Sequence, residues 1–200
     1  MTDILKFAGI YQFYQWLAGA GKYNRLFANC YLRYTQDQKI LDLGCGPADI
    51  LKFLPKDCDY TGIDLNPDYI AKARKKYRDK SFFIGDINNP DFIMEDGIFD
   101  TVFCIGVQHH LPDTEVDNLL KFAFNMLKKG GRLLTLEPVY CGSQGRLELF
   151  IRKKDRGKFI RTPEDYMLLT NKVFKGSSYK IICNAMTIPF TIIIITGEKQ

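Results

Sequence analysis

The residues best suited to chemistry sit at one turn, Ile40-Leu41-Asp42-Leu43-Gly44-Cys45-Gly46-Pro47, and at Asp64 beyond it. An apolar run ends in the two glycines. The first glycine permits a sharp turn out of a strand, and the second lets a ligand approach the backbone without meeting a Cβ. A helix starting near Pro47 would aim its free N–H groups and positive dipole end at an anion. Asp64, about twenty residues after Gly44 and at the end of the next apolar run, is placed to accept hydrogen bonds from both hydroxyls of a ribose. The pair of features suits an adenosine-containing ligand.

A dinucleotide fingerprint would continue to a third glycine, but Asp49 stands at that position. A carboxylate at the mouth of the site repels a pyrophosphate. S-adenosylmethionine (SAM) carries a carboxylate, an ammonium and a sulfonium and fits better. Its carboxylate can use the helix start, and its ammonium can use Asp42 or nearby carbonyls.

Further segments follow in order. Ser81-Phe82-Phe83-Ile84-Gly85-Asp86-Ile87 reads as a strand ending in an acidic turn. Phe99-Asp100-Thr101-Val102-Phe103-Cys104-Ile105-Gly106 reads as another strand, with Val107-Gln108-His109-His110-Leu111-Pro112 as the loop after it. Leu127-Lys128-Lys129-Gly130-Gly131-Arg132-Leu133-Leu134-Thr135-Leu136-Glu137-Pro138 reads as a helix end, a turn and a further strand. With the glycine turn, these motifs give the chain from about residue 39 onward a sequence that resembles the class I SAM-dependent methyltransferases.

The resemblance implies a cofactor site at Asp42, Gly44, Cys45, Gly46, Asp64, Leu65, Asp86, Ile87, Ile105 and Gly106. It implies that Asp86 bonds the adenine amino group, and that Tyr11 and Tyr14 close over the cofactor; plain helix packing is the competing reading of those tyrosines. Methyl transfer from an activated donor mainly needs the acceptor held close and in line, with water excluded. A base is needed only when the acceptor must lose a proton early. His109 and His110 are the only histidines. His110 is the preferred base or acceptor-orienting residue, against the reading that the pair merely shapes its loop. Glu137 either faces the acceptor or bonds a neighbouring backbone N–H. Two adjacent histidines without a carboxylate pair make a poor chelate, so no metal is expected.

These residues need elements to hold them. Ile4, Phe7, Tyr11, Tyr14 and Ala18 recur at helical spacing, Gly19-Ala20-Gly21 breaks the helix, and a second helix runs over 22–34. Strands at 39–43, 60–64, 82–84, 99–105 and 132–136 alternate with helices at 48–54, 67–77 and 114–128. That alternation predicts a doubly covered parallel sheet with ligands at the strand carboxyl ends. Apolar runs at 179–186 and 189–196, joined by a very short link, must pair antiparallel. The expected fold is α/β and Rossmann-like. It has a seven-stranded, mostly parallel sheet with a reversed C-terminal β-hairpin and helices on both faces. One domain fills residues 1–200: a helical cap (1–38), a SAM-binding core (39–138), an insertion or lid with a helix (139–172) and the hairpin (173–200).

The segment 140–170 holds Arg146, Arg152, Lys153, Lys154, Arg156, Lys158 and Arg161 against four acids. One reading is a basic lid that grips a carboxylate or phosphate on the acceptor, with Arg152 and Arg156 as its pair. The other is a solvated loop before a helix capped by Thr162. A net charge of +5 permits contact with nucleic acid or an anionic surface without arguing for it, and no Lys/Arg block is as dense as a nucleic-acid arm, so nucleic acid is not the expected partner. Six cysteines without a C-x-x-C pair read as free thiols of a reducing compartment, with Cys45, Cys104 and Cys141 buried. No apolar run is long enough to span a bilayer, and no signal core precedes the domain, so the expected location is the cytoplasm. The leading function is methylation of a small molecule. A noncatalytic SAM-binding protein and an NAD-dependent oxidoreductase are the alternatives.

Overall fold

The computed structural model describes residues 20–88, 94–142, 144–153 and 157–200. Its strands are β1 (Lys39–Leu43), β2 (Asp59–Asp64), β3 (Ser81–Ile84), β4 (Phe99–Ile105), β5 (Leu127–Pro138), β6 (Ser178–Ile182) and β7 (Ile192–Glu198). They form one sheet in the order β3-β2-β1-β4-β5-β7-β6. β1 to β5 run parallel, and β7 lies antiparallel between β5 and β6. This is the α/β, Rossmann-like, mostly parallel sheet with reversed closing strands that the sequence predicts. An all-parallel dehydrogenase sheet has no place for the reversed β7.

Helices cover both faces. Ile40, Phe103, Leu134, Leu136, Ile192 and Ile194 pack toward helix α1 (Ala20–Leu26), its π-helical continuation Phe27–Leu32, and helix α2 (Pro67–Lys76). Leu41, Leu43, Val102, Cys104 and Leu133 face the other way. They meet helix α3 (Asp113–Met126) and, later in the chain, helix α5 (Pro163–Val173). Burial on both faces follows from near-continuous apolar strands. α2 starts where Asn66 accepts from the N–H groups of Asp68 and Tyr69, with Pro67 at the first position. α5 starts the same way at Thr162 and Pro163. A short helix, α4 (Arg146–Lys153), lies between β5 and α5.

Several boundaries differ from expectation. The expected helix at 48–54 is a five-residue 3-10 turn, Asp49–Phe53, entered through Ala48 in the left-handed region. So little helix dipole stands behind the glycine turn. The helix expected over 22–34 begins at Ala20 and widens to π geometry from Phe27 to Leu32. β5 begins at Leu127, well before the expected 132, with a register shift against β4 between Phe99 and Thr101. The closing strands are not joined by a very short link. They end and begin at Ile182 and Ile192, because Ala185 and Met186, read as strand, are buried inside a connecting loop closed by Ala185 N–H to the Phe190 carbonyl. Cys45 and Cys104 are buried, whereas Cys141, just past β5, is only half-buried.

Candidate active site

The strand order reverses at β1. β2 and β3 lie to one side of it and β4 and β5 to the other, so the crevice outside the carboxyl ends of β1 and β4 is the natural ligand position. The backbone fixes the turn there. Gly44 and Cys45 N–H both donate to the Ile63 carbonyl at 2.8 and 3.0 Å, stitching the turn to β2. Gly44 has φ +75°, and a Cβ there would lie 2.5 Å from the Val107 side chain. The turn therefore packs directly on the loop after β4, which only glycine allows. A Cβ at Gly46 would meet nothing within 4 Å, so the backbone there faces open space.

Asp64 closes this turn. Its carboxylate accepts the Gly46 N–H at 2.7 Å and the Asn66 N–H at 2.8 Å. Burial pushes its carboxyl up from the usual range, against those two N–H bonds. Beneath it, Asp42 is 4% exposed and accepts the Tyr60 hydroxyl at 2.7 Å. Burial pushes Asp42 up to about 7; the Tyr60 bond opposes the shift and the Asp64 charge adds to it. Burial and the same two carboxyls push the Cys45 thiol up, so it stays protonated. Two carboxyls whose charge is disfavoured by burial gain from a cationic ligand and lose with a pyrophosphate.

The remaining cofactor candidates rim the same crevice. Gly85 N–H donates to the Asp64 carbonyl at 3.2 Å, which brings the end of β3 beside the end of β2. Asp86 follows and accepts the Asn88 N–H at 2.9 Å, and Ile87 is half-buried next to it. Leu65 is 68% exposed beside Asp64, an apolar surface open to a flat ring. Ile105 and Gly106 end β4, with Gly106 N–H donating to the Leu136 carbonyl at 2.8 Å. Tyr11 and Tyr14 lie outside the described residues.

The loop after β4 is organised by Glu137. This carboxylate is fully buried at the end of β5. It accepts the N–H groups of Val107 (3.0 Å), Gln108 (2.9 Å) and His109 (3.4 Å) and pairs with His109 Nδ1 at 2.7 Å. Of its two readings, the structure gives the backbone-bonding one and adds the imidazole. His109 is 5% exposed, whereas His110 is exposed and its ring lies 4.0 Å from that of His109.

Residues 157–161 form a strap over this loop. Gly157 lies so close to the His109 ring that a Cβ would collide with it, and Phe159 N–H donates to the His109 carbonyl at 3.0 Å. Arg161 anchors the strap. Its guanidinium donates to Asp113 at 2.7 and 3.0 Å and to the carbonyls of Gln108 (3.0 Å) and Leu111 (2.7 Å). Its backbone carbonyl accepts the Tyr140 N–H at 3.0 Å. Sequence reading counted Arg161 only as one of seven cations and passed over Asp113 and Gly157. The one local signal is position, since Arg161 and Asp113 each stand at a helix start.

Arg152, expected on a basic lid, is instead 2% exposed. It pairs with Glu148 at 2.8 Å, donates to the Thr191 carbonyl and lies over the Phe190 ring at 4.8 Å. Its Nε and Nη1 have no hydrogen-bond partner among the described residues. Arg156 lies outside the described residues. Among the described residues, no group of three or more His, Cys, Asp or Glu could hold a metal ion.

Known proteins resemble this chain in sequence and in fold. Residues 40–131 match the family described as "Methyltransferase domain". The ubiquinone/menaquinone biosynthesis C-methyltransferase UbiE of Vibrio cholerae is 34% identical over 159 residues, covering 74% of this chain and 57% of that protein. A SAM-dependent methyltransferase from Thermotoga maritima superposes with a TM-score of 0.74 at 19% identity, covering 98% of this chain and 97% of that one. The phosphoethanolamine N-methyltransferase 2 of Haemonchus contortus, solved with phosphomonomethylethanolamine and S-adenosylhomocysteine, superposes with a TM-score of 0.72 at 15% identity. It covers 93% of this chain and 56% of that one. The chain spans 57% of the length of the Vibrio cholerae protein and 27% of that of a phosphoethanolamine N-methyltransferase of Triticum aestivum, to which it is 29% identical over 147 residues, 70% of this chain.

Proposed function

The chain belongs to the class I SAM-dependent methyltransferase family, and from that premise we propose that it transfers a methyl group from SAM to a small-molecule acceptor. The observation that carries this reading is the Asp64 carboxylate, which is fixed by Gly46 and Asn66 N–H beside an open glycine turn at the switch point. SAM supplies an electrophilic methyl on a sulfonium when bound. Asp64 would hold the ribose hydroxyls, Asp42 the ammonium, Asp86 the adenine amino group and Leu65 a face of the ring. The open backbone at Gly46 suits the approach of the methionine portion. The Haemonchus contortus neighbour, crystallised with S-adenosylhomocysteine, supports this cofactor.

The chain's own work is then positioning and exclusion of water. Glu137 holds the loop 107–109 by its backbone, and the strap at 157–161 covers His109. That leaves His110, on the exposed side of the pair, as the residue that orients or deprotonates an acceptor. An anionic acceptor is the finer reading. It is supported by the Haemonchus contortus neighbour, which was solved with phosphomonomethylethanolamine. The cysteine spacing, which holds no C-x-x-C pair, supports a cytoplasmic setting, and no described helix is long and apolar enough to cross a membrane.

The test is release of S-adenosylhomocysteine from SAM with a panel of small amine, hydroxyl and activated-carbon acceptors. Turnover on one of them is expected. In that assay His110→Ala is expected to lower kcat by about tenfold or more, the lower range for a general base or orienting group, while SAM affinity changes little. A variant with unchanged kcat leaves the histidine only its loop-shaping role. Cofactor binding without turnover on any acceptor supports the noncatalytic alternative.

A further inference from the structure

Both histidines sit on one short turn, the 3-10 segment Gln108–His110. Such turns have poorer hydrogen-bond geometry than an α-helix and hold themselves weakly. Within it, His110 N–H donates to the Val107 carbonyl at 3.0 Å and Leu111 N–H to the Gln108 carbonyl at 3.1 Å. The turn is also bonded from two outer sides. Glu137 takes the N–H groups of Val107, Gln108 and His109. The strap takes the carbonyls. Phe159 N–H donates to that of His109, and Arg161 donates to those of Gln108 and Leu111.

Every donor of Arg161 is engaged. A guanidinium carries five N–H donors in a rigid fork. Here Nε meets Asp113 Oδ1 at 3.0 Å, and Nη1 meets the carbonyls of Gln108 and Phe159 at 3.0 Å each. Nη2 meets the Leu111 carbonyl and Asp113 Oδ1 at 2.7 Å each. The residue is buried, and its backbone is fixed by a bridge to Val139 and by the Tyr140 N–H. The side chain therefore ties the histidine turn to the continuation of β5. The two loop carbonyls it holds flank the pair, Gln108 before it and Leu111 after it. The His109 ring, anchored by Glu137, lies 4.0 Å from that of His110.

We infer that Arg161 is a positioning residue for the transfer: from the strap, it fixes where His110 presents its imidazole to the acceptor. The inference rests on the role given to His110 under the proposed function. Arg161 itself has no donor left for a ligand and acts through the backbone of the turn. The fork is what the site uses. A lysine keeps the charge beside Asp113, but its single nitrogen cannot serve carbonyls on both sides of the pair. Moving an orienting or proton-accepting group by about 1 Å is enough to cost a large factor in rate.

The test is Arg161→Lys in the whole protein, with Thr162→Ala as its control. Thr162 caps α5 next to Arg161, and losing that cap lowers stability without removing a bond to the turn. The chain has two histidines, so imidazole NMR gives one set of signals from each, and His110→Ala assigns them. In Arg161→Lys the His110 signals and their titration midpoint are expected to move. On the acceptor found by the panel, kcat is expected to fall by about tenfold or more. Affinity for S-adenosylhomocysteine is expected to stay within about twofold. In Thr162→Ala, Tm is expected to fall while the signals and kcat stay as in the wild type. Asp113→Ala removes two of the five bonds from an exposed position, and it decides the matter if Arg161→Lys does not fold. It is expected to move the same signals by less. His110 signals that do not move, or a kcat that does not fall, overturn the inference. So does Thr162→Ala moving the signals equally, which would leave Arg161 a merely structural role. Normal turnover by His110→Ala is a separate failure: it strikes the role given to His110, and a positioning role in transfer fails with it.

Discussion

At Asp42, burial favours the neutral carboxyl, the Tyr60 bond opposes it and Asp64 adds to it, leaving a group that titrates near 7. The consequence for stability has a definite sign. The folded value lies above the ordinary value of about 3.9, so the folded state holds a proton that the unfolded chain has released. The ligand-free protein therefore loses stability as pH rises from about 4 to about 7, by on the order of a few kcal/mol. A bound ammonium beside the carboxylate reverses the preference. Affinity for SAM is expected to fall as pH drops below about 7, and Asp42→Asn is expected to flatten that dependence in calorimetric titrations at several pH values. A wild-type affinity that does not change between pH 8 and 6 contradicts the pairing. The glycine turn and Asp64 were legible in the sequence because they act through local backbone: φ at Gly44, and N–H groups two to eighteen residues away. Arg161 and Asp113 were not legible, because their partnership spans 48 residues and leaves no local pattern.

Among the elements, the strap and the loop after β4 behave as one unit. Arg161 satisfies the carbonyls of Gln108 and Leu111 and the Asp113 carboxylate, and Glu137 satisfies three N–H groups of the same loop from the other side. Arg161→Ala leaves buried carbonyls without donors. It is expected to lower stability by about 2–4 kcal/mol, read as a shift in the urea midpoint at unchanged m-value. Destabilisation below about 0.5 kcal/mol would mean that the strap is not held this way. The type and order of the core elements followed from apolar runs and helix caps such as Asn66-Pro67. The element ends were harder to place. Ala185 and Met186 continue the apolar run of β6, and only tertiary burial shows that they belong to a loop. The burial of Arg152 against Glu148 was likewise hidden, because a sequence does not show which side of a short helix faces the protein.

For the whole molecule, the reversed β7 between β5 and β6 separates this sheet from an all-parallel dinucleotide-binding one. Global stability reports ligand choice by mass action. S-adenosylhomocysteine at about 100 times its Kd is expected to add about 2.7 kcal/mol, and NAD at the same concentration nothing. In a chain of 200 residues this is a rise in Tm of roughly 5–10 °C. A shift with NAD and none with S-adenosylhomocysteine would favour the oxidoreductase alternative.

The adenosyl site itself is tested most directly by calorimetric titration of S-adenosylhomocysteine into the wild type and Asp64→Ala at about pH 8. Asp64 accepts hydrogen bonds as a charged group, so one-site binding by the wild type is expected, weakened by about 1–3 kcal/mol in the variant. No binding by the wild type, or equal affinity in the two proteins, contradicts the placement of the ribose at the end of β2.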